Sequence, residues 1–119
     1  MNIEEIRDYC LSKPSATEHF PFDDVTLVFK VMGKMFALTS LDNEPSINLK
    51  CLPEKAIELR ELYPDIVPGY HMNKQHWNTV YTSRGLSNKT IEEQIDESYS
   101  LVVLSLTKKL QAELAQRSK

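Results

Sequence analysis

The stretch Val25 to Cys51, VTLVFKVMGKMFALTSLDNEPSINLKC, decides the architecture. Val25 to Met32 is rich in Val, Phe and Thr, Gly33-Lys34 is a turn signal, and Met35 to Leu41 resumes a rough apolar–polar alternation. This pattern predicts a β-hairpin. Asp42 to Pro45 is a second turn cluster, after which Ile47, Leu49 and Cys51 alternate with Asn48, Lys50 and Leu52 as a third strand. Three consecutive antiparallel strands form a meander.

On the N-terminal side, Ile3, Ile6, Cys10 and Leu11 share one helical face within residues 3–13, and Pro14 stops the pattern. Pro14 to Asp24 (PSATEHFPFDD) reads as an ordered connector with Phe20 and Phe22 anchored in the core. On the C-terminal side, Pro53 opens a helix carrying Ala56, Leu59, Leu62 and Tyr63, which Pro64 ends. Asp65 to Tyr70 and Trp77 to Thr82 read as short strands, and Pro68 marks an edge position. Ser87 is the N-cap of the longest helix, whose stripe Ile91, Ile95, Tyr99, Val102, Val103, Leu106, Leu110 carries it to about residue 105 or beyond. The expected order is αβββαββα: an α+β domain with a mostly antiparallel five-stranded sheet, helices on one face and the other partly solvated.

The 119 residues suffice for one core without a metal or disulfide framework. Fourteen Lys and Arg against seventeen Asp and Glu give a net charge of −3, the opposite of the balance of a dedicated nucleic-acid binder. The charge is uneven: residues 26–90 hold eight basic and six acidic side chains, whereas residues 1–25 hold two and six. The acidic start lacks an apolar signal core and the longest apolar run is Leu101 to Leu104, so a cytoplasmic protein without a membrane span is expected. Cys10 and Cys51 lie in the apolar phase of their elements and are read as inert core thiols rather than nucleophiles.

The densest unusual segment is GYHMNKQHWNTV, residues 69–80. Its amides, imidazoles and aromatic rings suit hydrogen bonding to phosphates or base edges and stacking on bases, or contact with a small polar ligand. Trp77 and Tyr70 serve equally as core anchors and His71 and His76 as turn residues. His19, His71 and His76 match no HExxH spacing, and no CxxC, GxSxG, Walker or GxGxxG pattern occurs, so no metal, cofactor or catalytic residue is assigned. The acids Glu4, Glu5, Asp8 and Glu92, Glu93, Asp96, Glu97 attract hard cations at most weakly, and a solvated helix face accounts for them. Lys30 and Lys34 flank the first hairpin turn, Lys74 lies in the connection between the last two strands, and Arg84 follows them; together they could contact a phosphate backbone.

Blocks along nearly the whole chain carry a family resemblance: FPF at 20–22, VFKVMGKMFAL at 28–38, LKC at 49–51, PEKAIELRELYP at 53–64, PGYHMNKQHWNTV at 68–80 and SYSLVV at 98–103. In these blocks the chain resembles the MmcQ/YjbR family. The resemblance implies a fold like that of CyaY and the frataxins, a small bacterial cytoplasmic protein, and a DNA-binding role through paired hairpin wings, the "double wing" idea. Carried over, the matching positions are Gly69, Tyr70, His71, Met72, Asn73, Lys74, His76, Trp77, Asn78 and Thr79, with Gly33 and Lys34 as the turn. Where family members often have a proline before paired lysines near the end, this chain has Thr107 before Lys108 and Lys109, so its last helix is expected to continue.

The resulting expectation is a non-enzymatic, monomeric DNA-binding module whose candidate contacts are Lys30, Lys34, His71, Asn73, Lys74, His76, Trp77, Asn78 and Arg84. The alternative is a domain binding a small polar ligand or a protein partner through the same segment, and a weaker one is metal delivery by analogy with frataxins.

Overall fold

A computed structural model describes residues 1–69 and 72–117. Among these the order is α1 (Ile3–Leu11), β1 (Ala16–His19), β2 (Thr26–Val31), β3 (Lys34–Ser40), β4 (Ser46–Lys50), α2 (Pro53–Leu62), β5 (Ile66–Pro68), β6 (Trp77–Tyr81), α3 (Asn88–Leu104) and α4 (Lys108–Arg117). The α+β class and the meander hold, but the sheet has six strands in the order β1-β2-β3-β4-β6-β5, and every pairing is antiparallel. The extra strand is β1, inside what the sequence presents as a connector. Its four residues lie between Pro14 and Pro21 and alternate between half-buried and exposed, which is the habit of a short edge strand. Pro68 does sit on the other edge strand, β5. Phe20 and Phe22 are exposed rather than anchored in the core, Phe22 by 71%.

The first hairpin turns at Met32-Gly33, one residue earlier than the sequence signal, with φ of 50° and 86°. Two consecutive residues at positive φ suit the right-handed twist of the flanking strands. One face of the sheet carries the core: Leu27, Phe29 and Val31 from β2, Phe36 and Ala37 from β3, Ile47 and Leu49 from β4, Val80 from β6. Phe36 and Ala37 are consecutive yet both buried because the β2–β3 register shifts between Phe29 and Lys30, which makes Phe36 the extra residue of a bulge in β3. Phe36 stacks edge-on against Tyr99 at 5.3 Å. A bulge draws a carbonyl out of the ladder, and the buried Ser98 of α3 meets this one: its hydroxyl donates to Phe36 O (2.6 Å) and accepts from Lys50 N (2.8 Å). Ser98 thus occupies an apolar stripe, Ile91, Ile95, Val102, while bonding α3 to two strands.

The last helix does not continue. Leu106 turns into the core at 5% exposure, and Thr107 Oγ1 accepts from Leu110 N at 3.2 Å, capping a separate α4. Leu106 and Leu110 keep the helical spacing across this corner, so apolar periodicity alone cannot reveal it. The N-cap at Ser87 is present, accepting from Thr90 N at 3.1 Å. Both cysteines are buried as expected, and burial pushes the Cys10 thiol up to about 12, far from the thiolate a nucleophile needs. No helix among the described residues is long and apolar enough to cross a membrane.

Candidate nucleic-acid interface

Strand direction determines which candidate residues share an end of the molecule. Because all neighbours are antiparallel, the last residues of β2, β4 and β5 and the first residues of β3 and β6 lie at one end of the sheet. Both hairpin tips, Met32-Gly33 and the described part of the second connection, Gly69 and Met72–His76, therefore lie at that end. They are three strand spacings apart, about 14 Å. The chain at 20–25 and 41–45, with Asp23, Asp24, Asp42 and Glu44, occupies the opposite end.

At the first tip, Lys34 is exposed and its Nζ donates to Ser105 O at 3.1 Å, the carbonyl that closes α3. A cation there meets the negative end of the helix dipole. The contact also brings the tip to the α3–α4 corner, whose next cations are Lys108 and Lys109, both exposed. Lys30 lies on the open face of β2, opposite Met35 and Thr17.

The second tip is built on hydrogen bonds. Asn73 O accepts from His76 N (3.2 Å) and Trp77 N (2.9 Å), and Asn73 Oδ1 accepts from Gln75 N (2.9 Å), a tight asparagine-led turn that leaves Lys74 exposed. His76 O accepts from Cys51 N at 2.7 Å, fastening the turn to the β4–α2 junction. Arg60 of α2 donates to Lys74 O, Trp77 O and Asn78 Oδ1, the last at 2.6 Å. Where Gly69 N donates to Trp77 O, a Cβ on Gly69 would lie 2.9 Å from Trp77 Cβ and from its carbonyl oxygen, so only glycine lets the two strands close.

Asn73, His76 and Trp77 then line one hollow of about 390 Å³ together with Lys50, Cys51, Leu52 and Leu101. Lys50 stands directly opposite Trp77 in the β4–β6 register. Two candidates part from this group. Asn78 faces α2, is 2% exposed, and leaves its Nδ2 without a partner. Arg84 lies toward the opposite end, where it pairs with Glu44 through both carboxylate oxygens and stacks 3.7 Å from the Tyr81 ring. Those hydrogen bonds hold the Glu44 carboxyl below its usual range, so the pair persists at neutral pH and is lost only as pH falls through that lowered value. His71 lies outside the described residues, as does Tyr70. Lys50, Arg60, Lys108 and Lys109 are the residues that sequence reasoning leaves out, and only the sheet order and the α3–α4 corner bring them in. No group of three or more His, Cys, Asp or Glu side chains able to hold a metal occurs among the described residues.

Residues 11–101 match the family model described as YjbR, most of the chain including both tips. The chain belongs to the YjbR family. It is 40% identical over 107 residues to the uncharacterised protein YbdF of Escherichia coli O157:H7, spanning 89% of this chain and 88% of that one. It is 36% identical over 104 residues to the uncharacterised protein YjbR of Escherichia coli K12, spanning 87% and 88%. A crystal structure of a Deinococcus radiodurans protein superposes with a TM-score of 0.88 at 40% identity, covering 96% of this chain and 88% of that one. A crystal structure from Pseudomonas syringae gives 0.75 at 31% identity, covering 85% and 98%. Lys108 and Lys109 lie beyond the residues that match the YjbR model, so the α4 cations extend the two-tip end outside the family span.

Proposed function

We propose that this YjbR-family protein is a non-enzymatic module that binds DNA at the two-tip end of its sheet. One observation carries the reading: antiparallel geometry supports a common placement of both tips, so that Lys34 with the neighbouring α3–α4 corner, Lys108 and Lys109, shares an end of the molecule with Lys74 and a hollow lined by Lys50, Asn73, His76 and Trp77. A tip separation of about 14 Å is close to the ~12 Å width of a DNA major groove, so two hairpins can meet the two flanking backbones. The lysines supply phosphate contacts and the hollow supplies hydrogen bonds and one indole face for a base edge. The overall charge of −3 is spread over seventeen acids, of which Asp23, Asp24, Asp42 and Glu44 lie at the other end, away from the tips. The "double wing" suggestion that accompanies the MmcQ/YjbR resemblance favours the same reading.

A second reading rests on the hollow alone. Its volume of about 390 Å³ lies within the range of small-molecule sites, and Asn73, His76 and Trp77 would suit a small polar ligand. A salt-series anisotropy titration of labelled single-stranded and duplex DNA separates the two. The DNA reading expects log affinity to fall linearly with log salt; no binding at low salt leaves the small-ligand reading.

A further inference from the structure

The open face of the sheet carries a second concavity that shares no lining residue with the hollow. It is a basin of about 750 Å³, walled at one end by Phe22 and Glu44 and at the other by Met72. Met35 and Leu38 give its floor an apolar surface. Asn48 and Thr79, opposite one another in the β4–β6 register, lie beside them with Thr79 Oγ1 donating to Asn48 Oδ1 at 2.6 Å.

Three features specify what such a basin takes. The first is charge: Glu44 is the one ionised side chain among the described lining residues, and Arg84 already engages both of its oxygens. Among the described lining residues no cation is present to meet a phosphate or carboxylate, and the Arg84 pair offsets the charge of Glu44. The second is a hydrogen-bond donor. Asn48 is 8% exposed, and its amide nitrogen reaches only Leu38 O, at 3.4 Å, which leaves one of its two N–H groups for a ligand acceptor. Buried amide donors that go unmet are costly, so an acceptor arriving at this N–H gains more than it would at an exposed one. The third is shape. Phe22 stands at the mouth with most of its ring in water, a ring that a flat ligand would cover.

We infer that the open face binds a neutral, planar small molecule bearing a carbonyl acceptor, of the nucleobase or aromatic-amide class, with the carbonyl accepting from Asn48 Nδ2 and the ring lying between Phe22 and the Met35–Leu38 floor. The volume is that of small-molecule sites.

Matched probe pairs test this: uridine against uridine 5′-monophosphate, and nicotinamide against nicotinate, each titrated into isotope-labelled protein. Uridine and nicotinamide should shift the amide signals of Leu38, Asn48 and Thr79 and the methyl signals of Met35 and Met72, with the charged partners binding more weakly. Phe22→Ala, at an exposed position that leaves the core intact, should weaken uridine roughly two- to tenfold, the range of one aromatic contact. Asn48→Ser should weaken it further while the remaining spectrum keeps its folded dispersion. Silence at those five residues with both neutral probes at millimolar concentration overturns the inference. So does equal or tighter binding of the charged partners, or shifts that neither substitution alters.

Discussion

Phe36→Ala should lower the unfolding free energy by about 3–5 kcal/mol, measured by urea denaturation. The ring is fully buried, lies 6.4 Å from Phe29 and stands edge-on to Tyr99, whose hydroxyl in turn donates to Pro14 O at 2.6 Å. Removing it opens a void where the bulge of β3, helix α3 and the chain leading into β1 meet, and packing around a bulge can collapse little. Against a total stability of about 5–15 kcal/mol for a domain of this kind, the loss is a large fraction. A change below about 1 kcal/mol would mean that the bulge does not hold the α3 contact as described.

The second large effect is electrostatic. Replacing Lys34, Lys74, Lys108 and Lys109 together by alanine should flatten the slope of log affinity against log salt by about 3–4 for duplex DNA, since each phosphate contact contributes about 0.9. All four side chains are exposed, so the fold should survive; Lys34 alone has a structural bond, to the α3 terminus, of the kind that contributes about 0.3–1 kcal/mol. Arg84→Ala removes one cation as well, yet its side chain is committed to Glu44 and Tyr81, and it should leave the slope unchanged. An unchanged slope in the fourfold variant would remove these lysines from the interface.

Much of this molecule is legible in its sequence, and the parts that are not have identifiable causes. Helices α1, α2 and α3 and the three-strand meander announce themselves through proline stops, an N-cap and clean periodicity. Strand β1 escapes because four half-polar residues between prolines carry no pattern of their own; its pairing with β2 comes from the partner. The α3–α4 corner escapes because Leu106 keeps the apolar phase while its backbone turns. Phe20 and Phe22 mislead in the other direction, since apolar character in a connector does not by itself specify burial.

The site divides in the same way. Asn73, Lys74, His76 and Trp77 stand out by composition, and the structure gathers Asn73, His76 and Trp77 into one hollow with Lys50. Whether Lys34 and Lys74 share an end depends on β6 inserting between β4 and β5, a long-range fact with no local signature. Arg60 is hidden for a similar reason: it looks like a surface residue of α2 until the turn it fastens, 14 to 18 residues later, is seen folded against it. Asn78 reads as a neighbour of Trp77 in sequence, but strand alternation sends it to the helix side.

The most direct measurement is the amide footprint of a short DNA duplex on isotope-labelled protein at low salt. Binding at the two-tip end predicts shifts confined to Met32–Lys34, Lys50, Asn73–Trp77 and Ser105–Lys109, with Asp42–Glu44 and Arg84 unmoved. A footprint centred on the 41–45 end, or a spectrum that duplex and single strand both leave unchanged, would contradict it.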